Sequence, residues 1–234
     1  MLEMIAFDAD DTLWHNEVHY RDTQAQFLHI LSPWAKPERV NAVLNEIEMG
    51  NLALYGYGVK AFTLSMLETA VKVSGARIEG EAVGQILALG RDMLQQEVTL
   101  LPGVEETLNI LANDYPLMVI TKGDILDQTN KVKRSGLEHY FRRVEVVSDK
   151  TPLTYQEVLS KNQIDPARFV MVGNSIRSDV LPVLALGGSA VHIPADTTWE
   201  HEMVSDFDDA QDGFYTLNTM KELPELLTRL VSTI

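Results

Sequence analysis

The feature that most limits what this chain can become is a recurring unit. A short apolar run stops at polar residues and is followed by a stretch with helical spacing. Met4-Ile5-Ala6-Phe7 stops at Asp8, Leu117-Met118-Val119-Ile120 stops at Thr121, and the run 144–147 stops at Ser148 and Asp149. Phe169-Val170-Met171-Val172 stops at Gly173 and Asn174, and Ala190-Val191-His192-Ile193 stops at Pro194. A strand with one wet face alternates apolar and polar residues, whereas a strand covered on both faces is apolar throughout. The runs therefore predict parallel strands buried between two layers of helices. Helices are expected at about 103–113, 124–135, 152–162, 177–187 and 220–232. Such alternation implies a doubly wound α/β sheet with right-handed crossovers. Ligands of such sheets bind beyond the carboxyl ends of the strands, where the polar residues just named fall.

One segment breaks this rhythm. Residues 15–97 contain no buried-strand run, while Val40, Val43, Leu44 and Ile47 recur at helical spacing, as do Leu64, Leu67 and Val71, and then Val83, Ile86, Leu87 and Leu94. The expectation is a core formed by residues 1–14 and 98–234, with a helical domain inserted at 15–97. Pro102 and Gly103 mark the return to the core as turn residues before a helix. An all-helical insertion beside a strand-end site is suited to act as a lid, or cap.

Composition narrows the partners. Asp and Glu total 34 against 19 Lys and Arg, a formal charge of -15, which disfavours nucleic acid or an anionic membrane as the main partner. A local cation can still reverse the field inside a pocket, so a small phosphorylated ligand remains compatible. There are no cysteines, which excludes disulfides, thiolate metal sites and cysteine nucleophiles. The amino terminus lacks the basic-then-apolar pattern of a signal peptide, and no apolar run reaches membrane-spanning length, so a cytoplasmic address is expected.

The chemistry concentrates first in Phe7-Asp8-Ala9-Asp10-Asp11-Thr12-Leu13. Three carboxylates within four positions repel one another unless a cation or hydrogen bonds hold them. An acidic, solvated turn is the plain alternative. An apolar strand in front and Thr12-Leu13-Trp14 behind weigh against it.

FDADDTL resembles the first motif, Asp-x-Asp-x-Thr, of the phosphatase branch of the haloacid dehalogenase superfamily. Thr121 in VITKGD resembles the second motif, Lys150 in SDKTPLTYQEVL the third, and Gly173-Asn174-Ser175-Ile176-Arg177-Ser178-Asp179 the fourth. The resemblance runs from residue 1 to about 194, with the helical insertion where the family places a cap. It implies a Rossmann-like core, a magnesium-dependent phosphatase and a small phosphorylated metabolite as substrate. Asp8 would be the nucleophile and Asp10 the general acid and base. Thr121 would hold a phosphoryl oxygen, with backbone N–H groups around Lys122 and Gly123 helping to cradle it, and Lys150 would offset the charge of nucleophile and phosphate. Mg2+ would be held by Asp8, the backbone carbonyl of Asp10 and Asp179, with Asn174 as a secondary contact.

Each residue alone has a simpler reading: Thr121 as a satisfied strand-end hydroxyl, Lys150 as a solvated lysine, Asp179 as a first-turn helix acid, Asn174 as a helix cap. Asn174 also departs from the family pattern, which commonly has an acid there. An acid at position 10 favours phosphate esters over dehalogenation and over phosphonate cleavage. A phosphomutase needs the same acid, and a non-catalytic regulatory protein on the same scaffold is a further alternative. His15, Asn16, Tyr55, Tyr57 and Lys60 are candidates to face substrate, and Gly56 and Gly58 would let backbone come close to it. The acidic segment 199–213 is expected to be a surface loop.

Overall fold

The computed structural model describes residues 2–195, 199, 202, 204 and 207–233. It divides into two compact units, Met1–Glu17 with Val98–Ile234, and Val18–Glu97.

The first unit is built on six strands: β1 (Met4–Phe7), β2 (Leu117–Lys122), β3 (Phe141–Val147), β4 (Phe169–Gly173), β5 (Ser189–His192) and β6 (Phe214–Thr216). All pair in parallel, in the order β3-β2-β1-β4-β5-β6. Sequence parity assigns the two faces. Ile5, Phe7, Val119, Val170, Val172 and Val191 pack on one side with Val104 and Leu108 of α5 (Val104–Leu111) and Leu223 and Leu227 of α9 (Leu223–Thr233). Met4, Ala6, Met118, Ile120, Phe169, Met171 and Ala190 pack on the other with Tyr155, Val158 and Leu159 of α7 (Pro152–Asn162) and Val183 of α8 (Leu181–Leu184). Adjacent residues of β1, β2 and β4 thus enter different cores, which is why the runs 4–7, 117–120 and 169–172 carry no polar positions. Each large side chain buried in this way contributes about 1.5–3 kcal/mol of transfer free energy.

Three departures from the expected elements have local causes. β3 starts at Phe141, earlier than the apolar run suggested, and exposes Arg142 and Arg143, charges that suit an edge strand. β6, at the other edge, is three residues long and too short to give a run. The helix expected at 177–187 is a π-helical turn at Ile176–Val180 followed by α8, whose first turn holds Pro182. Proline supplies no N–H to continue the preceding ladder.

The second unit is helical: α1 (Glu17–Leu31), α2 (Pro37–Tyr55), α3 (Val59–Ser74) and α4 (Gly80–Gln95). Its own core contains Phe27, Leu31, Val40, Leu44, Phe62, Met66, Ala70 and Ile86. Leu64, Val71 and Leu87, expected on the apolar face, are instead 43%, 48% and 38% exposed. α3 is apolar over much of its circumference, and the buried stripe is Phe62, Met66 and Ala70. Gly90 lets α4 approach α3, because a Cβ there would lie 2.2 Å from Thr63 Oγ1. Among the described residues no helix is long and apolar enough to cross a membrane.

The chain leaves and rejoins the sheet unit along a narrow neck. Trp14 and Leu100 form an antiparallel bridge. Around it the His15 N–H donates to the Thr99 carbonyl at 3.0 Å, and the Leu101 N–H to the Leu13 carbonyl at 3.0 Å.

Candidate active site

β1 delivers Asp8 to the carboxyl edge of the sheet, with β2 and β4 as its neighbours. The Asp8 N–H still belongs to the sheet and donates to the Val172 carbonyl at 2.9 Å. Its carboxylate is nearly buried and fully engaged. Lys150 Nζ donates to Asp8 Oδ1 at 2.5 Å, and Thr12 Oγ1 donates to Asp8 Oδ2 at 2.9 Å. Lys150 Nζ also reaches Asp179 Oδ1 at 2.6 Å, so one ammonium joins the acids of the first and fourth motifs. With 1% of its side chain exposed, Lys150 is no solvated surface lysine. Burial pushes the Asp8 carboxyl up to about 7; Lys150 pulls it back, and Asp179 adds to the rise. Burial would depress the Lys150 ammonium, but Asp179 and then Asp8 outweigh it and hold its pKa above the ordinary lysine value.

The fourth-motif loop is shaped around Asp179. Its Oδ2 accepts the Ser175 N–H at 3.0 Å, and a Cβ on Gly173 would lie 2.2 Å from that oxygen. Only glycine leaves room for the carboxylate to fold back over the end of β4. Asn174 points its Oδ1 at Thr12 Oγ1, 3.3 Å away, the hydroxyl that also bonds Asp8 Oδ2. His192 Nε2–H donates to the Asn174 carbonyl at 3.0 Å.

Asp10 faces a different set of partners. Trp14 Nε1 donates to Oδ1 at 2.7 Å, Gln128 Nε2 to Oδ2 at 2.8 Å, and Lys131 Nζ to both oxygens at 3.0 Å. Lys131 also donates to Asn16 Oδ1 at 2.8 Å. Gln128 and Lys131 lie three apart on α6 (Ile125–Arg134), on one helical face, and Gln128 Oε1 accepts from Thr121 Oγ1 at 3.3 Å. One glutamine thus links the second-motif threonine to Asp10. Asp11, with φ 60, turns away and accepts the N–H groups of Asn16 and Glu17.

Several expectations need correction. Of the backbone N–H groups around Lys122 and Gly123 expected to cradle phosphate, that of Gly123 is engaged within the sheet unit, donating to the Val147 carbonyl at 3.2 Å; its φ of 137 shows what the glycine supplies. Lys122 ion-pairs with Glu202 and donates to Ser178 Oγ at 3.0 Å. Glu202 lies in the segment expected to be a surface loop, yet it is 9% exposed. Residues 200, 201, 203, 205 and 206 of that segment lie outside the described residues. Gln128, Lys131 and Glu202 were not identified from sequence. The 128/131 spacing on a helix directly after the second motif was the available signal, while Glu202 had none. In the helical unit, Tyr55 is 44% exposed and donates to Glu68 Oε1 at 3.1 Å, and Gly56 (φ 71) and Gly58 (φ 108) form the turn between α2 and α3.

The arrangement suits a divalent cation that prefers oxygen. Asp8 Oδ2 and Asn174 Oδ1 converge on one hydroxyl, an anionic and a neutral oxygen within reach of a common point. Among the described residues no three acidic or histidine side chains form an all-side-chain metal cage. Mg2+ needs none, since it is commonly held by one or two carboxylates and keeps several waters.

A parallel sheet with a buried aspartate just beyond β1, a lysine bridging it to a second aspartate and a helical insertion after the first motif defines a class of hydrolase. The profile of haloacid dehalogenase-like hydrolases matches residues 2–187, and the chain belongs to that family. It is 38% identical to a haloacid dehalogenase-like family hydrolase from Xanthomonas campestris, with a TM-score of 0.89 over 99% of this chain and 93% of that one. It is 26% identical to a glyceraldehyde 3-phosphate phosphatase from Methanothermobacter thermautotrophicus, over 85% of this chain and 88% of the relative. A 2-haloacid dehalogenase from Pseudomonas syringae shares the fold at 24% identity and a TM-score of 0.67, covering 98% of this chain and 100% of that chain.

Proposed function

We propose that this hydrolase is a Mg2+-dependent phosphatase acting on a small phosphorylated metabolite through an aspartyl-phosphate on Asp8. The observation that carries the reading is the pairing of two differently held acids. Asp8 is buried against Lys150, as a nucleophile that meets an anion requires. Asp10, two residues on, keeps 21% of its side chain exposed. A dehalogenase has no ester oxygen to protonate, so an acid at position 10 supports phosphate-ester chemistry.

In this reading an Asp8 oxygen attacks phosphorus and the bond to the leaving oxygen breaks as Asp10 gives that oxygen a proton. Water then attacks the phosphorus, Asp10 takes the water's proton, and the Asp8 carboxylate is released. Both Asp10 oxygens are engaged by Trp14, Gln128 and Lys131, so proton delivery requires exchanging one of these contacts for the leaving oxygen. Lys150 offsets the negative charge that gathers at Asp8 in the transition state. Asp8, Asn174 and the Asp10 carbonyl would hold Mg2+, which supplies further charge neutralisation at the phosphoryl oxygens. Asp179, whose two oxygens serve Lys150 and the Ser175 N–H, is better suited to orient the lysine than to bind metal. The helical unit would serve as the cap that selects the substrate.

The test is a panel of phosphorylated metabolites with Mg2+, run beside a generic aryl phosphate. Glyceraldehyde 3-phosphate belongs in it because the archaeal relative carries that name. Turnover that disappears in Asp8→Asn, a variant retaining the wild-type fold, supports the reading. Absence of turnover on every member would sink it.

A further inference from the structure

Glu202 makes contacts that the proposed reaction does not use. The residue is 9% exposed, and its carboxylate accepts three donors, one from the end of β2 and two from the segment after β4. Lys122, the last residue of β2, ion-pairs with Oε1. Ser175 Oγ, at the cap of the π-helical turn after β4, and Ser178 Oγ, within that turn, donate to Oε2, the latter at 2.6 Å. The same serines organise that turn. Ser175 Oγ accepts the Ser178 N–H at 3.0 Å, and the Ser175 N–H holds Asp179 Oδ2. Lys122 closes the circuit through Ser178 Oγ at 3.0 Å.

Removing the carboxylate would take the anionic partner from an ammonium with 18% of its side chain exposed and leave two buried hydroxyls without this acceptor. The chain between Ser175 and Ser178 would lose the anchor that fixes it against β2. Asn174 precedes Ser175 directly, and Asp179 follows Ser178 directly. The carboxylate therefore grips the segment at both ends, between Asn174, which would hold the cation, and Asp179, which bonds Lys150.

We propose that Glu202 is a positioning residue, a clamp from the last third of the chain that sets the fourth-motif loop and thereby the oxygen presented by Asn174. Its consequence for cation binding rests on the phosphatase reading; the clamp itself does not. Partners that orient metal ligands are typically worth about 10–100-fold in metal affinity.

Two variants separate the clamp from simpler effects. Glu202→Gln keeps the shape and removes the charge. Lys122→Met/Glu202→Gln removes both charges, so the pair's net charge is that of wild type and no unpaired ion is left buried. Two measurements are made on the full chain: hydrogen exchange of segment 173–180 without cation, and Mn2+ affinity from the electron paramagnetic resonance of free Mn2+. The clamp predicts faster exchange in that segment and roughly tenfold weaker Mn2+ binding in both variants. Unchanged exchange overturns the proposal. So does a double variant that binds Mn2+ as wild type does, because Glu202 would then act only through its field. A lowered Tm with exchange and affinity both unchanged would reduce it to a stabilising residue, which also overturns the proposal. Failure of wild type to bind Mn2+ would count against the phosphatase reading, with the exchange comparison still deciding the clamp.

Discussion

Replacing Lys150 with methionine tests the centre of the site most directly. The ammonium lies 2.5 Å from Asp8 Oδ1 and 2.6 Å from Asp179 Oδ1, with 1% of its side chain exposed. Methionine fills similar volume, so the perturbation is electrostatic and creates no large cavity. Two buried carboxylates would then face each other without their shared cation. Breaking a buried ion pair by removing one partner costs about 3–5 kcal/mol. For a chain of this size each kcal/mol lowers Tm by about 2–4 °C, so a fall of about 12 °C is expected. The assay is calorimetry at neutral pH with metal chelated, and again with excess Mg2+. Mg2+ should return part of the loss by neutralising Asp8. Lys150→Met/Asp179→Asn should return part without metal, because one of the opposed charges is gone. A single variant that loses less than about 1 kcal/mol, the range of an exposed pair, would refute the reasoning.

Asp10→Asn should slow turnover by about 10²–10⁴-fold on alkyl phosphates and much less on a nitrophenyl phosphate, whose leaving group needs no proton. Equal loss on both removes Asp10 from proton transfer. Lys131→Met should show the same selectivity in weaker form, read as the ratio of kcat on the two substrates. Gly173→Ala forces a Cβ into the Asp179 carboxylate and should cost about 1–3 kcal/mol with a large fall in kcat; an alanine variant with wild-type kcat would contradict the close fit. In Glu202, burial opposes the charge, but Lys122 and the serines outweigh it and hold the carboxyl down at about 2. A depressed carboxyl stabilises the fold above its unfolded value near 4.5, and that contribution is lost as pH falls toward 2. Wild type should therefore lose about 2 kcal/mol more than Glu202→Gln between pH 5 and pH 3, measured by urea unfolding. Parallel curves would remove the linkage.

The centre of the sheet was legible because β1, β2 and β4 are apolar on both faces, a pattern that calls for two covering layers. The residues at the strand ends were legible because each stands where an apolar run stops. What escaped had physical reasons. Gln128 and Lys131 act from a helix interior, where polar residues usually face water. Glu202 acts from an acidic stretch in which nothing local separates one carboxylate from its neighbours; only the tertiary fold brings Lys122 and two serines to it. The buried face of α3 was misjudged because a broadly apolar helix leaves its period undecided, and the Gly123 N–H because a strand's last hydrogen bond is set by its partner's length.

The neck at Trp14 and Leu100 carries a consequence for modularity. The hydrogen bonds between 13–15 and 99–101 close the loop before the helical segment begins, so the sheet unit meets the insertion as a hairpin whose base is already tied. Loop-closure entropy grows only slowly with length, and here the tie sets the ends. Inserts of very different size could therefore be spliced at this point with little change in the stability of the sheet. A chimera carrying a foreign helical segment between residues 17 and 98 should keep the fold of the sheet unit and, with it, the distances from Lys150 to Asp8 and Asp179.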